Sequence, residues 1–376
     1  MNTRELLDSL IAFPTVSRDS NLDLIEFVRM FLAARGITSE LFIDATGKKA
    51  NLFATVGSKD RGGIMLSGHT DVVPVDGQDW SSDPFRMVER SGSLYGRGTA
   101  DMKGFIASAL AAADRATRRT LRSPLHLALS YDEEIGCVGV RSLIDAMKQW
   151  HVRPRLCIVG EPTLLRPAIA HKGNTALHAV CTGHAVHSAL APHGVNAIYL
   201  ASDFIQRVRG LQRQIERSGS RDPDFDVPYT TLHIGLIRGG LALNIVPDHC
   251  ELVLEIRNMP GESPHALVES IRSEAAEVGA PRQSIEITVT NEYPGLSTPA
   301  DAEVVELASS ATGERGRIKV GFGTEAGLFS AELRIPCVVC GPGSISDAHR
   351  PNEFVSLDQL ARCDAMLDSV LDTLSR

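Results

Sequence analysis

Three short apolar segments of the chain each end in a histidine or in acidic residues, and this repeated pattern constrains the fold most. The segments are 64–66, which leads to His69; 125–130, which leads to Asp132-Glu133-Glu134; and 157–159, which leads to Glu161. Short apolar runs bounded by turn signals are typical of buried strands, and here they alternate with helical stretches. The pattern predicts a layered α/β domain with its ligand crevice at the carboxyl ends of the strands.

The order of the predicted elements changes near residue 172. Between 176 and 290 the chain reads strand, helix, strand, strand, helix, strand, which is the order of a split βαββαβ ferredoxin-like unit. After Pro294 the first pattern resumes with a helix, a glycine-rich turn over 321–327, a strand and a final helix. We therefore predict a discontinuous main domain, residues 1–174 and 293–376, interrupted by an α+β insert, residues 175–292.

Composition narrows the classes of partner. The 38 basic and 46 acidic residues give a net charge of −8 without any long basic run, which argues against nucleic acid and anionic membrane as partners. No stretch approaches the ~20 consecutive apolar residues of a membrane span, so we expect a cytoplasmic protein with no cleaved segment. Seven scattered cysteines suit a reducing compartment, and Cys337 and Cys340, despite their CxxC spacing, are expected to be core thiols.

Two further donors join the residues at the strand ends. Asp101 directly precedes an alanine-rich helix, and His349 lies in the loop that follows the predicted strand 336–340. Two imidazoles and several carboxylates on one rim form a nitrogen and oxygen site that suits zinc, and also cobalt or manganese. Because the donors exceed what one catalytic zinc needs, they indicate two ions that share a carboxylate, about 3.5–4 Å apart.

In such a site one acid should stay free of metal and act as general base. Glu133 and Glu134 offer this division of labour, because adjacent side chains leaving a strand point in different directions. Asp71, two residues after His69, is suited to orient its imidazole. A single acid after a strand is most often a helix cap or a solvated carboxylate. A cluster of them without a counter-charge would repel, and this favours the metal site.

Seven segments together resemble the co-catalytic zinc amidohydrolases and peptidases of the aminoacylase and carboxypeptidase group. In chain order they are SGHTDVVPVDG (67–77), LYGRGTADMKG (94–104), SYDEEIGCVGV (130–140), GEPT (160–163), GHAVHSALAPHGVNA (183–197), GTEAGLF (323–329) and AHRPNE (348–353). They extend over nearly the whole chain. The resemblance implies a mixed-sheet catalytic domain of the zinc-aminopeptidase type, with a ferredoxin-like insert that serves as dimerisation or lid domain.

The resemblance also implies a role for each matching donor. Asp101 is expected to bridge two divalent ions, Zn²⁺ or alternatively Co²⁺. The remaining ligands are expected to be His69 and Glu161 for one ion, and Glu134 and His349 for the other. Glu133 resembles the general base that takes a proton from the attacking water and passes it to the departing amine.

For the insert, the resemblance implies a homodimer in which His187 enters the partner's active site and hydrogen-bonds the oxyanion. Donors of this kind contribute about 3–4 kcal/mol. Ala189 stands where a second serine is common, a departure we expect to be tolerated. Asn244 and Arg257 match positions that bind the substrate's α-carboxylate. The turn that begins with Gly323 and Thr324 is expected to line the same pocket through backbone N–H groups.

The expected reaction is hydrolysis of the N-acyl amide of a small-molecule N-acyl amino acid. Within the group, the motifs look most like the members that convert N2-acetyl-L-ornithine and water to L-ornithine and acetate, a step of arginine biosynthesis. Two alternatives stay open. One is another N-acyl amino acid or short-peptide hydrolase, such as one that desuccinylates succinyl-diaminopimelate. The other is a metal-free binding relative, which would require lost ligands, and the sequence retains every one of them.

Overall fold

A computed structural model describes residues 1–278 and 284–376 of the chain. The α-helices are α1 (Thr3–Ile11), α2 (Leu22–Ala33), α3 (Lys103–Ala116), α4 (Val140–Lys148), α5 (Ala197–Ser218), α6 (His265–Val278), α7 (Glu303–Thr312), α8 (Ala326–Leu333) and α9 (Leu357–Ser375), and a 3₁₀ helix covers Ser188–His193.

The strands fall into three sheets. They are β1 (Ser39–Ile43), β2 (Ala50–Val56), β3 (Ile64–His69), β4 (Val88–Arg90), β5 (Ser93–Tyr95), β6 (Leu125–Ser130), β7 (Leu156–Pro162), β8 (Ala168–His171), β9 (Asn174–Thr182), β10 (Thr231–Gly239), β11 (His249–Arg257), β12 (Ser284–Tyr293), β13 (Leu296–Ser297), β14 (Ile318–Val320), β15 (Cys337–Gly341) and β16 (Phe354–Ser356). Strands β16, β5 and β4 form a small sheet of their own.

The first compact unit comprises Met1–Ala170, Leu296–Lys319 and Thr324–Arg376. Its large mixed sheet has the strand order β1-β2-β6-β3-β7-β15-β8-β13, with β14 paired to β8. The central strands β6, β3, β7 and β15 are parallel to their neighbours in this group. Their carboxyl ends therefore meet at one edge of the sheet, as the pattern of apolar runs predicts.

Burial on both faces explains why the sequences of these strands are unbroken apolar runs. Every residue of β2, β3, β6, β7 and β15 is buried, because helices cover both faces of a sheet of this kind. The alanine-rich helix α3 is buried along most of its length, and its small side chains allow close packing against the sheet and against α1 and α9. The predicted α/β class is confirmed.

The second compact unit comprises His171–Gly295 and Val320–Gly323. Its antiparallel sheet has the order β10-β11-β9-β12, and α5 and α6 pack on it. Burial alternates along β9 and β11, so one face of each strand contributes to a core shared with the helices. This is the predicted ferredoxin-like arrangement of the insert.

One detail of the sequence interpretation is wrong, and the compact units divide the chain at slightly different residues from the predicted domains. The glycine-rich turn predicted for 321–327 ends early, because α8 already begins at Ala326. Residues 320–323, assigned from the sequence to the main domain, belong to the second unit. A Cβ atom on Gly323 would lie 2.3 Å from the ring of Tyr293, so this glycine packs directly on that side chain. The unit boundaries themselves fall at 170/171 and 295/296 rather than at 174/175 and 292/293.

The cysteine prediction is confirmed. All seven cysteines are free and buried, and Cys337 and Cys340 both lie in β15, inside the sheet. Burial raises the pKa of the Cys340 thiol to about 12, so it carries no thiolate at neutral pH.

Among the described residues, no helix is both long enough and apolar enough to cross a membrane.

Candidate metal centre

The parallel strands bring the predicted donors to one edge of the large sheet. His69 is the last residue of β3, Glu161 lies near the end of β7, and Glu133 and Glu134 follow β6. Asp101 lies two residues before the start of α3. His349 lies in the segment between β15 and β16. Donors that are far apart in the sequence are thus neighbours at one edge because the strands share a direction.

Asp101 lies between two histidines. Its Oδ1 is 3.0 Å from His69 Nε2, and its Oδ2 is 3.1 Å from His349 Nε2. Glu161 Oε1 lies 3.7 Å from His69 Nε2 on one side, and Glu134 Oε2 lies 3.0 Å from His349 Nε2 on the other. One carboxylate therefore faces two separate pairs of donors, which is the geometry that two ions sharing a bridging ligand require.

The donor chemistry fits divalent metal ions. The ligand atoms of His69, Asp101 and Glu134 lie within 4.8 Å of one another, and so do those of His69, Glu133 and Glu161. Among the described residues, the buried Glu161 Oε1 has no hydrogen-bond partner. A buried carboxylate oxygen without a partner is costly unless a cation compensates it. This mixture of imidazole and carboxylate suits zinc or cobalt.

The acids repel one another. Burial raises the pKa of Glu161 well above its usual value, and the charge of Asp101 adds to this effect. Burial likewise raises the pKa of Glu134 to about 7. Burial also opposes the charge on Asp101, but hydrogen bonds from His349 and His69 hold its pKa well below the usual range. The cluster thus favours a positive charge between its carboxylates.

The carboxylates raise the pKa of both histidines. Hydrogen bonds to Asp101 and then Glu134 raise the pKa of His349 to about 10. Burial opposes protonation of His69, yet the carboxylates of Glu161 and Asp101 raise its pKa well above the usual value. Metal ligation requires neutral imidazole and ionised carboxylate, so binding of metal would release protons from this cluster.

Asp71 contacts His69 and the backbone of the two adjacent glutamates. The backbone carbonyl of Asp71 lies 2.9 Å from His69 Nδ1, and its carboxylate lies 3.5 Å away. The same carboxylate accepts hydrogen bonds from the backbone N–H groups of Glu133 and Glu134 and from Ser17 Oγ. The sequence predicts that Asp71 orients His69. The structure shows in addition that Asp71 binds the backbone of Glu133 and Glu134.

The two adjacent acids have different environments. Glu134 contacts His349. Glu133 Oε1 instead lies 3.4 Å from the Sγ of Cys137. The carboxylate of Glu133 also lies within 4.8 Å of the ligand atoms of His69 and Glu161. Burial raises the pKa of Glu133 well above its usual value; the charge of His69 opposes this effect, and the charges of Glu134 and Asp101 add to it. A raised pKa suits a group that accepts a proton and later returns it.

Glu325 is a buried acid that the sequence interpretation overlooks. Its Oε2 lies 3.5 Å from Ser67 Oγ, and among the described residues its Oε1 has no hydrogen-bond partner. Burial raises its pKa to about 7. The sequence signal for this acid is its position in the GTEAGLF segment, but the glycines and the threonine of that segment predict a turn rather than a buried acid. Thr324 is fully buried, and its hydroxyl accepts a hydrogen bond from the N–H of Ala326 at the start of α8.

The remaining predicted residues belong to the second unit. His187 is exposed at the start of the 3₁₀ helix, and its Nδ1 accepts a hydrogen bond from the Ala189 N–H. Asn244 is its neighbour, because the N–H of Ser188 donates to the Asn244 carbonyl. Arg257, at the end of β11, contacts Glu255 and the Tyr293 hydroxyl, the side chain on which Gly323 packs. Asn244 and Arg257 thus have different contact partners within this unit.

The fold and the donor set define a metallohydrolase of the two-ion type, and comparison with known proteins agrees. Residues 65–373 match the model of peptidase family M20/M25/M40, so the chain belongs to this family.

Particular relatives narrow the comparison. The chain is 39% identical over 372 residues to acetylornithine deacetylase of Myxococcus xanthus, covering 97% of this chain and 95% of the relative. It is 36% identical to acetylornithine deacetylase of Pasteurella multocida, covering 94% and 93% of the two chains. Among solved structures, an M20 metallo-carboxypeptidase from Sulfolobus solfataricus superposes with a TM-score of 0.80 at 19% identity, covering 100% of this chain and 99% of the other. The structural match supports the fold.

Proposed function

We propose that the protein hydrolyses N2-acetyl-L-ornithine to L-ornithine and acetate, a step of arginine biosynthesis. The observation that carries the hydrolytic chemistry is Asp101, whose two carboxylate oxygens face a different histidine each. The substrate assignment is supported by relatives of that activity that match along nearly the whole chain. A cytoplasmic location suits seven free cysteines.

The centre would hold two divalent ions, Zn²⁺ or alternatively Co²⁺. The first cation site consists of His69, Asp101 and Glu161, and the second cation site of Asp101, Glu134 and His349. When bound, the ions polarise the scissile carbonyl and make a nearby water molecule more acidic. The contacts of Asp71 hold His69 in the tautomer that presents Nε2 to the first site.

Glu133 acts as general base and then as general acid. It accepts a proton from the water that attacks the amide carbonyl, and it returns this proton to the α-amine of ornithine as the C–N bond breaks. Two observations support this assignment: Glu133 Oε1 lies beside the Cys137 thiol, and the pKa of Glu133 is raised. The second proton of the water, left on the carboxylic acid product, passes to the released amine, so acetate and protonated L-ornithine leave.

The insert completes the site in a homodimer. His187 stabilises the oxyanion in the partner's site, Asn244 and Arg257 bind the substrate's α-carboxylate, and Gly323 and Thr324 line its pocket. Two observations support association through the insert. Leu241 and Leu243 are 89% and 101% exposed, which is unusual for leucine in an unassociated chain. In addition, β10 is an edge strand of the described sheet, with β11 as its neighbour.

The decisive experiment compares substrates on one preparation. We expect the kcat/KM for N2-acetyl-L-ornithine to exceed that for succinyl-diaminopimelate and for other N-acyl amino acids. Activity should disappear with a chelator and return with Zn²⁺ or Co²⁺. A preference for succinyl-diaminopimelate would replace the proposed substrate. A protein that binds no stoichiometric metal would instead be a non-catalytic relative.

A further inference from the structure

Glu353 is a fully buried acid that follows the candidate ligand His349 by four residues. Its carboxylate accepts four hydrogen bonds from the loop that carries Asp101. Oε1 accepts from the N–H groups of Ala100 and Asp101 at 2.9 and 3.0 Å, and Oε2 accepts from the N–H of Gly98 at 3.0 Å and from Arg97 Nη1 at 2.6 Å. One side chain therefore joins the Asp101 loop to the His349 loop.

A second chain of contacts joins the same two loops. The guanidinium of Arg97, 1% exposed, donates from Nη2 to Gln78 Oε1 at 2.6 Å and lies over the ring of Trp80. Gln78 Nε2 in turn donates to the backbone carbonyl of His349 at 3.3 Å. Together with Glu353, these contacts form a closed ring from the Asp101 loop to His349 and back.

The two cation sites depend on this ring to different degrees. In the first site, His69 and Glu161 lie on the buried strands β3 and β7, so the sheet itself holds them. In the second site, the His349 side chain is 48% exposed and the backbone has a φ of +59°. Non-glycine residues adopt this left-handed conformation only where the surroundings hold it. His349 therefore needs an anchor outside its own side chain.

We propose that Glu353 is a positioning residue that sets the metal affinity of the second cation site without contacting metal. The inference rests on the proposed metal centre and adds a residue to it. Glu353 holds the backbone of Asp101 directly and stands in the same short segment as His349. Two of the three ligands of the second site thus depend on one carboxylate, against one of three in the first.

The substitution Glu353→Gln tests this directly. A carboxylate offers two acceptor oxygens, whereas an amide offers one oxygen and a donor NH₂ group. Either orientation of the glutamine therefore leaves two of the four N–H donors facing another donor. Loss of contacts that orient metal ligands commonly weakens metal binding about 10- to 100-fold. We expect this loss at the second site and a smaller one at the first.

The measurement is titration of the metal-free protein with Co²⁺, followed by calorimetry and by visible absorption. Wild-type protein should bind two ions per chain. E353Q should bind the first ion within a few-fold of wild type and the second at least tenfold more weakly. E306Q, at an exposed glutamate of α7, is the matched control and should bind both ions normally. Circular dichroism of the metal-free variants verifies that they are folded.

Gln78→Ala provides an independent variant if E353Q does not fold. It removes the contacts to Arg97 and His349 from a half-buried position, so it should weaken the second ion several-fold. Exposed Gln149→Ala is its control. Normal binding of both ions by folded E353Q, or by Q78A where E353Q is unfolded, would overturn the inference, as would equal losses at both sites. If wild-type protein binds no ions, the proposed metal centre is wrong. The wild-type titration shows this outcome independently of the variants.

Discussion

At the scale of single residues, two adjacent glutamates of the centre have the same side chain but different surroundings. Glu133 and Glu134 are adjacent and identical, but Glu134 faces His349 and Glu133 faces the thiol of Cys137. The sequence predicts that the two acids divide their roles, because successive side chains diverge. The tertiary contacts show the difference between them: Glu134 lies beside His349, whereas Glu133 lies near His69 and Glu161.

Glu133→Gln should leave the metal content near wild type and reduce kcat about 10²- to 10⁴-fold, because it removes the proton acceptor while keeping the shape of the side chain. Steady-state kinetics with metal analysis of the same samples measures both effects. Turnover within a few-fold of wild type would contradict the assignment of Glu133 as general base.

His126 provides a pH-dependent prediction away from the centre. Burial, with a smaller effect from Lys59, lowers its pKa to about 4, and its Nδ1 lies 3.0 Å from Thr55 Oγ1. The unfolded chain, with a pKa of 6.5, therefore binds a proton more readily than the folded one. The stability due to neutral His126 is present above pH 6.5 and is lost as the pH falls toward 4, by about 3 kcal/mol in all.

The variant His126→Phe removes this titration and preserves the stacking on Phe53. Between pH 6.5 and 4, the free energy of unfolding of metal-free wild type should fall more steeply than that of H126F, as measured by urea denaturation with a chelator present. Parallel pH profiles for the two proteins would show that His126 is not the titrating group.

At the scale of elements, the parallel group β6, β3, β7 and β15 determines the site, because it aligns the carboxyl ends of strands from distant parts of the sequence. Unbroken apolar runs predict these strands well. Short strands such as β1, β8 and β14 carry no comparable signal, and the sequence does not predict them. Their existence depends on pairing with neighbours rather than on their own composition.

Gly160 shows how closely strand and helix approach behind the centre. A Cβ atom at this position of β7 would lie 1.9 Å from the ring of Phe105, a buried side chain of α3. Gly160→Ala should therefore cost about 1–3 kcal/mol of stability and displace the adjacent Glu161. Thermal unfolding and metal titration measure the two effects. Gly316→Ala, where nothing lies within 4 Å, is the control, and equal melting temperatures for the two variants would refute this packing argument.

At the scale of the whole molecule, the proposed homodimer has the largest consequence, since the proposed oxyanion donor His187 would act in the partner's site. Leu243→Asp introduces a charge on the most exposed of the apolar side chains in the insert. We expect it to convert a dimer to a monomer in sedimentation or light-scattering experiments and to lower kcat accordingly. Ile43→Asp, on the exposed edge strand β1 of the other unit, should leave the dimer intact. A dimer that survives L243D would exclude this surface from the interface.

The sequence by itself determined the α/β class, the ferredoxin-like order of the insert and the residue types at the strand ends, because apolar periodicity and short motifs are local properties. Only the tertiary structure decided which donors meet. Asp101 and His349 approach through loops whose conformation no local pattern encodes, and Glu353 and Arg97 hold those loops by buried hydrogen bonds between segments about 250 residues apart. Such contacts depend on the packing of the entire unit, so they arise only once the sheet and its helices are assembled.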